Sequence, residues 1–269
     1  MGINTSRLKG RKLIIQSLPE NVQTKSDKVI QPSCFLSNDV EYVGNIHAFH
    51  FIKKNLFQSN FSSPIEERLI QSGYKVLDVG CGSGTWLLDM STNYEMTHFL
   101  GLDFQSIYPQ EIKPPNLNFI QADILDGLPF PDNEFDFVHQ DTMTFNGFGP
   151  IMQKIFNNYN SFLLKQDLDF KVMHKLDSML ESHPNITKVY RDEKEMIVGP
   201  NGGKIGLACQ ENLIALVSTE MTTQILSSEI GISKEEFINM IGNDLADELK
   251  ETRPKFTNFR LWTQKNNNR

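Results

Sequence analysis

Lys75-Val76-Leu77-Asp78-Val79-Gly80-Cys81-Gly82-Ser83-Gly84-Thr85-Trp86 is the stretch that decides the fold. An apolar run carrying one acid passes into three glycines at alternate positions, and Thr85 to Met90 then has helical spacing. That order predicts a strand, a tight turn and a helix. Glycine lets ligand atoms approach the backbone and tolerates the positive φ of such a turn. Sites that hold a pyrophosphate space their glycines as G-x-G-x-x-G. Here the spacing is G-x-G-x-G with Asp78 ahead of it. A carboxylate beside the loop repels a pyrophosphate but suits an ammonium group, which favours a cationic amino-acid nucleoside.

Working outward, Phe99 to Leu102 reads as a second strand, Leu117 to Gln121 as a third and Phe135 to His139 as a fourth. Strands alternating with helices predict a parallel sheet with crossover helices. Asp103 ends the second strand and could accept from both hydroxyls of a ribose, as the switch-point rule for open sheets suggests. Asp123, in Gln121-Ala122-Asp123-Ile124, ends the third and could accept from an adenine amino group. His139, Gln140 and Asp141 open onto the same crevice. The plainer readings make Asp78 a helix cap, Asp103 a turn residue, and Asp123 a turn acid beside Asp126.

Helices are predicted over Val43 to Phe57, Pro64 to Gln71, Pro150 to Leu164 and Asn212 to Leu226. The second opens on a capping box, Ser63-Pro64-Ile65-Glu66, and a later helix opens on another, Ser233-Lys234-Glu235-Glu236. Phe256 to Gln264 reads as a closing strand.

The chain has 269 residues, 39% of them hydrophobic, and a net charge of −7. Its longest aliphatic run, Leu213 to Val217, is too short to span a membrane, and no apolar signal-peptide core opens the chain. Cys34, Cys81 and Cys209 sit apart and make no disulfide framework, so a reducing compartment is expected. Residues 1–38 sum to +4 and the remainder to −11. An acidic body argues against nucleic acid as a partner. Two domains are read: a disordered basic leader over 1–38 and a folded domain over 39–269. Met1-Gly2-Ile3-Asn4-Thr5-Ser6 fits the pattern for acylation of Gly2, and Arg7, Lys9, Arg11 and Lys12 follow it. One acyl chain with a basic patch can hold a membrane surface; a chance match in the leader is the alternative. The expected location is cytoplasmic, with membrane association or the nucleus as alternatives.

In the glycine motif, Asp103, Asp123 and the strand-four segment, taken in order, the chain resembles the class I S-adenosylmethionine-dependent methyltransferases. It is most similar to a mostly fungal group related to methyltransferase-like regulators of secondary metabolism. Gln58 to Pro64 is similar to what that group carries before its first strand, and Gly202 to Gly206 resembles its later region. The resemblance runs from about Glu41 to Asn146 and is thinner beyond. It implies a Rossmann-like, doubly wound, mostly parallel α/β sheet of seven strands, with S-adenosyl-L-methionine as cofactor. It assigns Asp78, Gly80, Gly82 and Gly84 to the methionine and loop end, Asp103 to the ribose, and Asp123 with Ile124 to the adenine.

The chain departs from that family after Lys165, where Gln166 to Met173 replaces a Pro-Gly-Gly turn and an apolar strand. Leu168, Phe170 and Val172 alternate there with polar and charged neighbours, unlike a central parallel strand. An abnormal or missing fifth strand is therefore expected. The function expected is methyl transfer to an unidentified small molecule or protein side chain. A non-catalytic cofactor-binding or regulatory protein is the alternative, and the loop spacing disfavours a nicotinamide-dependent oxidoreductase.

Methyl transfer mainly requires alignment and exclusion of water. A base is needed only where the acceptor must lose a proton, and His139 is the candidate. Cys81 reads as a loop filler. His47 and His50 lack a third ligand nearby and read as surface residues, so no metal site is expected. Gly199 to Lys204 lacks the first glycine and the Ser/Thr of a phosphate loop and reads as a turn.

Overall fold

The computed structural model describes residues 40–140, 144–146, 148–165 and 175–265. The leader, with Gly2, and the candidate fifth-strand segment 168–173 lie outside the described residues.

The first helix, α1, spans Val40–Phe57, and a single turn, α2, spans Glu66–Leu69. Then β1 (Lys75–Val79), α3 (Thr85–Asn93), β2 (His98–Asp103), β3 (Leu117–Gln121) and β4 (Phe137–His139) follow in order. These strands form one parallel sheet in the order β3-β2-β1-β4, with Leu77 opposite Leu100 and Val138. Four of the five β1 residues are buried, as a strand covered on both faces requires. Leu87 and Met90 of α3 pack on Val76, Phe99 and Leu117.

The chain continues as β5 (Thr144–Asn146), α4 (Pro150–Leu164), α5 (Leu176–Glu181), β6 (Ile186–Ile197), α6 (Gly203–Val217), α7 (Glu220–Ile230), α8 (Lys234–Asn239), α9 (Leu245–Thr252) and β7 (Lys255–Lys265). A five-residue π-helical stretch, Met240–Asp244, joins α8 to α9. A larger core around Phe49, Met152, Leu213, Phe237, Ile241 and Phe256 joins α1, α4, α6, the α8–α9 arm and β7.

Three expectations are corrected. The seven strands among the described residues divide into two sheets, because β5, β7 and β6 pair antiparallel with one another in the order β5-β7-β6. Among the described residues the parallel sheet ends at β4; the break expected after Lys165 falls on residues outside those described. The capping box at Ser63 does not form: Ile65 holds the cap position, Ser63 Oγ is buried without a partner, and Glu66 accepts from Tyr94 Oη at 2.7 Å. The helix expected over Asn212 to Leu226 breaks after Val217, where Thr219 takes the Thr222 amide and caps α7. The second capping box, Ser233 with Glu236, forms as predicted.

Candidate functional site

The crevice opens at the carboxyl ends of the parallel strands, where ligands of open α/β sheets sit. Gly80, Gly82 and Gly84 have φ of 72°, 55° and 72°, the left-handed region that side chains resist. The amides of Gly80 and Cys81 donate to the Leu102 carbonyl at 2.8 and 3.1 Å, pinning the loop to β2. A Cβ on Gly80 or Gly82 would meet nothing within 4 Å, so this part of the loop borders open space. At Gly84 it would lie 2.5 Å from Phe119 Cζ, so that glycine is needed for packing.

Asp78 and Asp103 stand on neighbouring strands, 4% and 5% exposed. The Asp103 carboxylate accepts the Gly82 amide at 2.8 Å on one oxygen and the Gln105 amide at 2.9 Å on the other. Burial raises its pKa, and these amides together with that of Phe104 oppose the rise. Asp78 has no hydrogen-bond donor to its carboxylate among the described residues. Burial holds its pKa well above the usual carboxylate range; the Lys53 charge opposes this and the Asp103 charge adds to it. A buried carboxylate without donors is costly when ionised, and an ammonium ligand removes that cost.

His139 lies in register with Asp78 on β4. Its half-buried ring stacks on Trp86 with centroids 3.9 Å apart and planes at 7°. Burial, then the charges of Lys53 and Arg260, push its pKa down to about 3. The ring is therefore neutral near pH 7 and has little affinity for a proton. Asp123, half-buried, and Ile124, 46% exposed, follow β3 at the start of a short 3-10 turn. The Ala122 amide donates to the Asp103 carbonyl at 3.0 Å, which brings that turn beside the ribose candidate. Gln140 is exposed; Asp141 lies outside the described residues.

The surface reading of His47 and His50 is corrected. His50 is 8% exposed and its Nε2 meets Asp89 Oδ2 at 3.1 Å; His47 Nδ1 is bonded to Thr85 Oγ1. Asp89 also takes Lys54 Nζ at 2.6 Å and Asn60 Nδ2 at 3.0 Å, which holds α1 against α3 beside the glycine loop. Among the described residues no group of three metal-ligating side chains comes together. Burial raises the Cys81 thiol pKa, which agrees with a filler and opposes a nucleophile. Gly199 to Lys204 is a turn into α6: a Cβ on Gly202 would lie 1.9 Å from the Ile197 carbonyl oxygen.

The sequence reading missed Lys53, Trp86 and Arg260. Lys53 sits on the helical face of Phe49 and Phe57, where a lone cation among apolar residues was the available signal. Nothing in the sequence joins Arg260, about 200 residues further on, to this site.

Residues 76–165 match a family described as "Methyltransferase domain". The secondary metabolism regulator LAE1 of Cochliobolus heterostrophus is 39% identical over 66 residues, 24% of this chain and 21% of that protein. The N-methyltransferase verN of Clonostachys rogersoniana is 30% identical over 109 residues, 39% of this chain and 37% of that one. The chain thus spans well under half the length of these relatives. A solved structure of Haemonchus contortus phosphoethanolamine N-methyltransferase 2 with S-adenosyl-L-methionine aligns with a TM-score of 0.43 at 15% identity, covering 87% of this chain and 60% of that one. Among the described residues no helix is long and apolar enough to cross a membrane.

Proposed function

We propose that the chain, whose residues 76–165 match the methyltransferase-domain family, is a class I S-adenosylmethionine-dependent methyltransferase that transfers a methyl group to a small molecule or a protein side chain. The observation that carries this reading is the pair of buried carboxylates at the ends of β1 and β2, flanking a left-handed glycine loop that borders open space. The residues fit the cofactor, which when bound supplies a methyl group on a sulfonium already activated for displacement. In this reading Asp78 takes the amino-acid ammonium and the Gly80–Gly84 loop cradles that end. Asp103 accepts from the ribose while steadying Gly82, and Asp123 and Ile124 border the adenine.

His139 borders the acceptor. Its low proton affinity weighs against a general base, so we assign it a positioning role, its ring plane set by Trp86. An acceptor that is already nucleophilic, such as a neutral amine or an ionised oxygen, suits such a wall.

Calorimetric titration with S-adenosylmethionine tests the site. Saturable binding that Asp103→Ala abolishes supports it; a folded protein that binds none overturns it. Release of S-adenosylhomocysteine on adding an acceptor separates transfer from a regulatory, cofactor-binding role. That second reading is favoured by one observation, the replacement of a Pro-Gly-Gly turn and an apolar strand by Gln166 to Met173 in the sequence. A peripheral membrane contact through Gly2 belongs to the same proposal, and the intact mass of protein from its native cells decides it.

A further inference from the structure

On α1, Phe49, Lys53 and Phe57 follow at intervals of four and share one face. On β7, Phe256, Asn258 and Arg260 alternate and share one face. The ends of this ladder are fixed by contact. The rings of Phe49 and Phe256 have centroids 6.2 Å apart, and the Arg260 guanidinium lies 4.0 Å from the Phe57 centroid. Four helical residues rise about 6 Å and two strand residues about 6.8 Å, so the rungs keep step. The middle rung therefore sets Lys53 opposite Asn258.

Two facts mark that rung. Asn258 is 1% exposed, and both polar atoms of its amide are buried without a hydrogen-bond partner. A buried amide left in this state is unusual, because burial strips its water and returns nothing. The rung lies within electrostatic reach of the crevice: the Lys53 charge acts on both Asp78 and His139, and the Arg260 charge on Lys53 and His139. Burial and the neighbouring guanidinium lower the Lys53 pKa to about 8. Arg260 spends part of its fork on Ser59, donating to Oγ at 3.0 Å and to the carbonyl at 2.8 Å.

We propose that Lys53, Asn258 and Arg260 form a subsite for a carboxylate at the acceptor end of the crevice. Two cations and an amide donor on facing elements suit a planar two-oxygen anion, which accepts from several directions. The inference deepens the proposed function and rests on it. The carboxylate has two sources, the amino-acid end of the cofactor or the methyl acceptor.

The test titrates the full chain with S-adenosylhomocysteine, with 5′-methylthioadenosine, which lacks the amino-acid end, and with benzoate as a probe carboxylate. Lys53→Met removes a cation, and Asn258→Asp fills the subsite with a carboxylate of its own. If the cofactor supplies the anion, both variants weaken S-adenosylhomocysteine at least about tenfold and leave methylthioadenosine within about twofold. If the acceptor supplies it, both nucleosides bind all three proteins alike, while benzoate binds wild type saturated with S-adenosylhomocysteine and neither variant. Retained methylthioadenosine binding shows that a variant is folded. Equal behaviour of all three proteins toward every ligand overturns the subsite. If wild type binds neither nucleoside, the cofactor reading fails, and benzoate titrated alone still decides the subsite.

Discussion

Alanine at Gly80 and alanine at Gly84 separate the loop's two duties, since the backbone term is common to both. Each glycine has a φ of 72°. A Cβ in the left-handed region costs roughly 1–2 kcal/mol. At Gly80 nothing more is added to stability, because the new Cβ meets no atom within 4 Å. At Gly84 the Cβ would come within 2.5 and 2.6 Å of Phe119 Cζ and Cε1. That ring cannot retreat freely: Tyr108 stacks on it at 4.5 Å, and a Cβ at Gly101 would meet it too, at 2.5 Å. Overpacking of this kind costs about 1–3 kcal/mol. Gly84→Ala should therefore lose roughly 2–5 kcal/mol in urea titration and Gly80→Ala roughly 1–2. Binding should rank the other way for a given loss of stability. The Gly80 Cβ enters the space assigned to the ligand, whereas the Gly84 Cβ turns toward the sheet. Equal stability of the two variants would refute the packing argument, and wild-type affinity for S-adenosylhomocysteine in Gly80→Ala would refute the cradle.

Three other perturbations probe separate contacts. An ammonium paired with Asp78 favours its ionised form, so binding of S-adenosylhomocysteine should release a proton, and affinity should fall as pH drops below the raised pKa. Calorimetry in two buffers of different ionisation enthalpy reads this, and an affinity flat from pH 5 to 8 with no release counts against it. Glu248 of α9 accepts the Ile151 and Met152 amides at 2.6 and 3.0 Å and so caps α4 from a distant element. Glu248→Ala should cost about 2 kcal/mol of unfolding free energy; a loss below about 0.5 removes the cap from the account. Asp89→Ala takes the shared acceptor from His50, Lys54 and Asn60, so the α1 amides should exchange hydrogen faster while those of β1 to β3 stay protected. The lysine and histidine beside Asp89 hold its carboxyl below the usual range, so its stabilisation is present above about pH 4 and fades as pH falls through the lowered value.

Local pattern was enough where local interactions decide. Leu117 to Gln121 and Pro150 to Leu164 match their predicted bounds, because an apolar strand run and a proline-led amphipathic helix carry their own ends. The Ser63 box failed although its residues are right, since Glu66 is held by Tyr94, 28 residues away. The break at Ser218 was legible in hindsight: Thr219 followed by Glu220 is a cap signal, overridden in the reading by the continuing spacing of Leu216, Val217 and Met221. In the site, the positions of Asp78 and Asp103 could be read because each stands at the carboxyl end of a strand two residues from a glycine, Gly80 and Gly101. The environment of His139 could not. Its proton affinity is lowered first by burial and then by Lys53 and Arg260, which reach it from elements far away in sequence.

The division of the strands into two sheets bears on which residues the site needs. Asp78, Asp103 and His139 lie on strands of the parallel sheet and Asp123 follows one. The opposite wall comes from α1, fastened to α3 through Asp89 and Thr85, and from β7, fastened to the segment after α1 through Arg260 and Ser59. In the proposed function the acceptor end depends on β7, which carries Arg260 and Asn258, so specificity for the acceptor should be more sensitive to changes in β6 and β7 than cofactor affinity is.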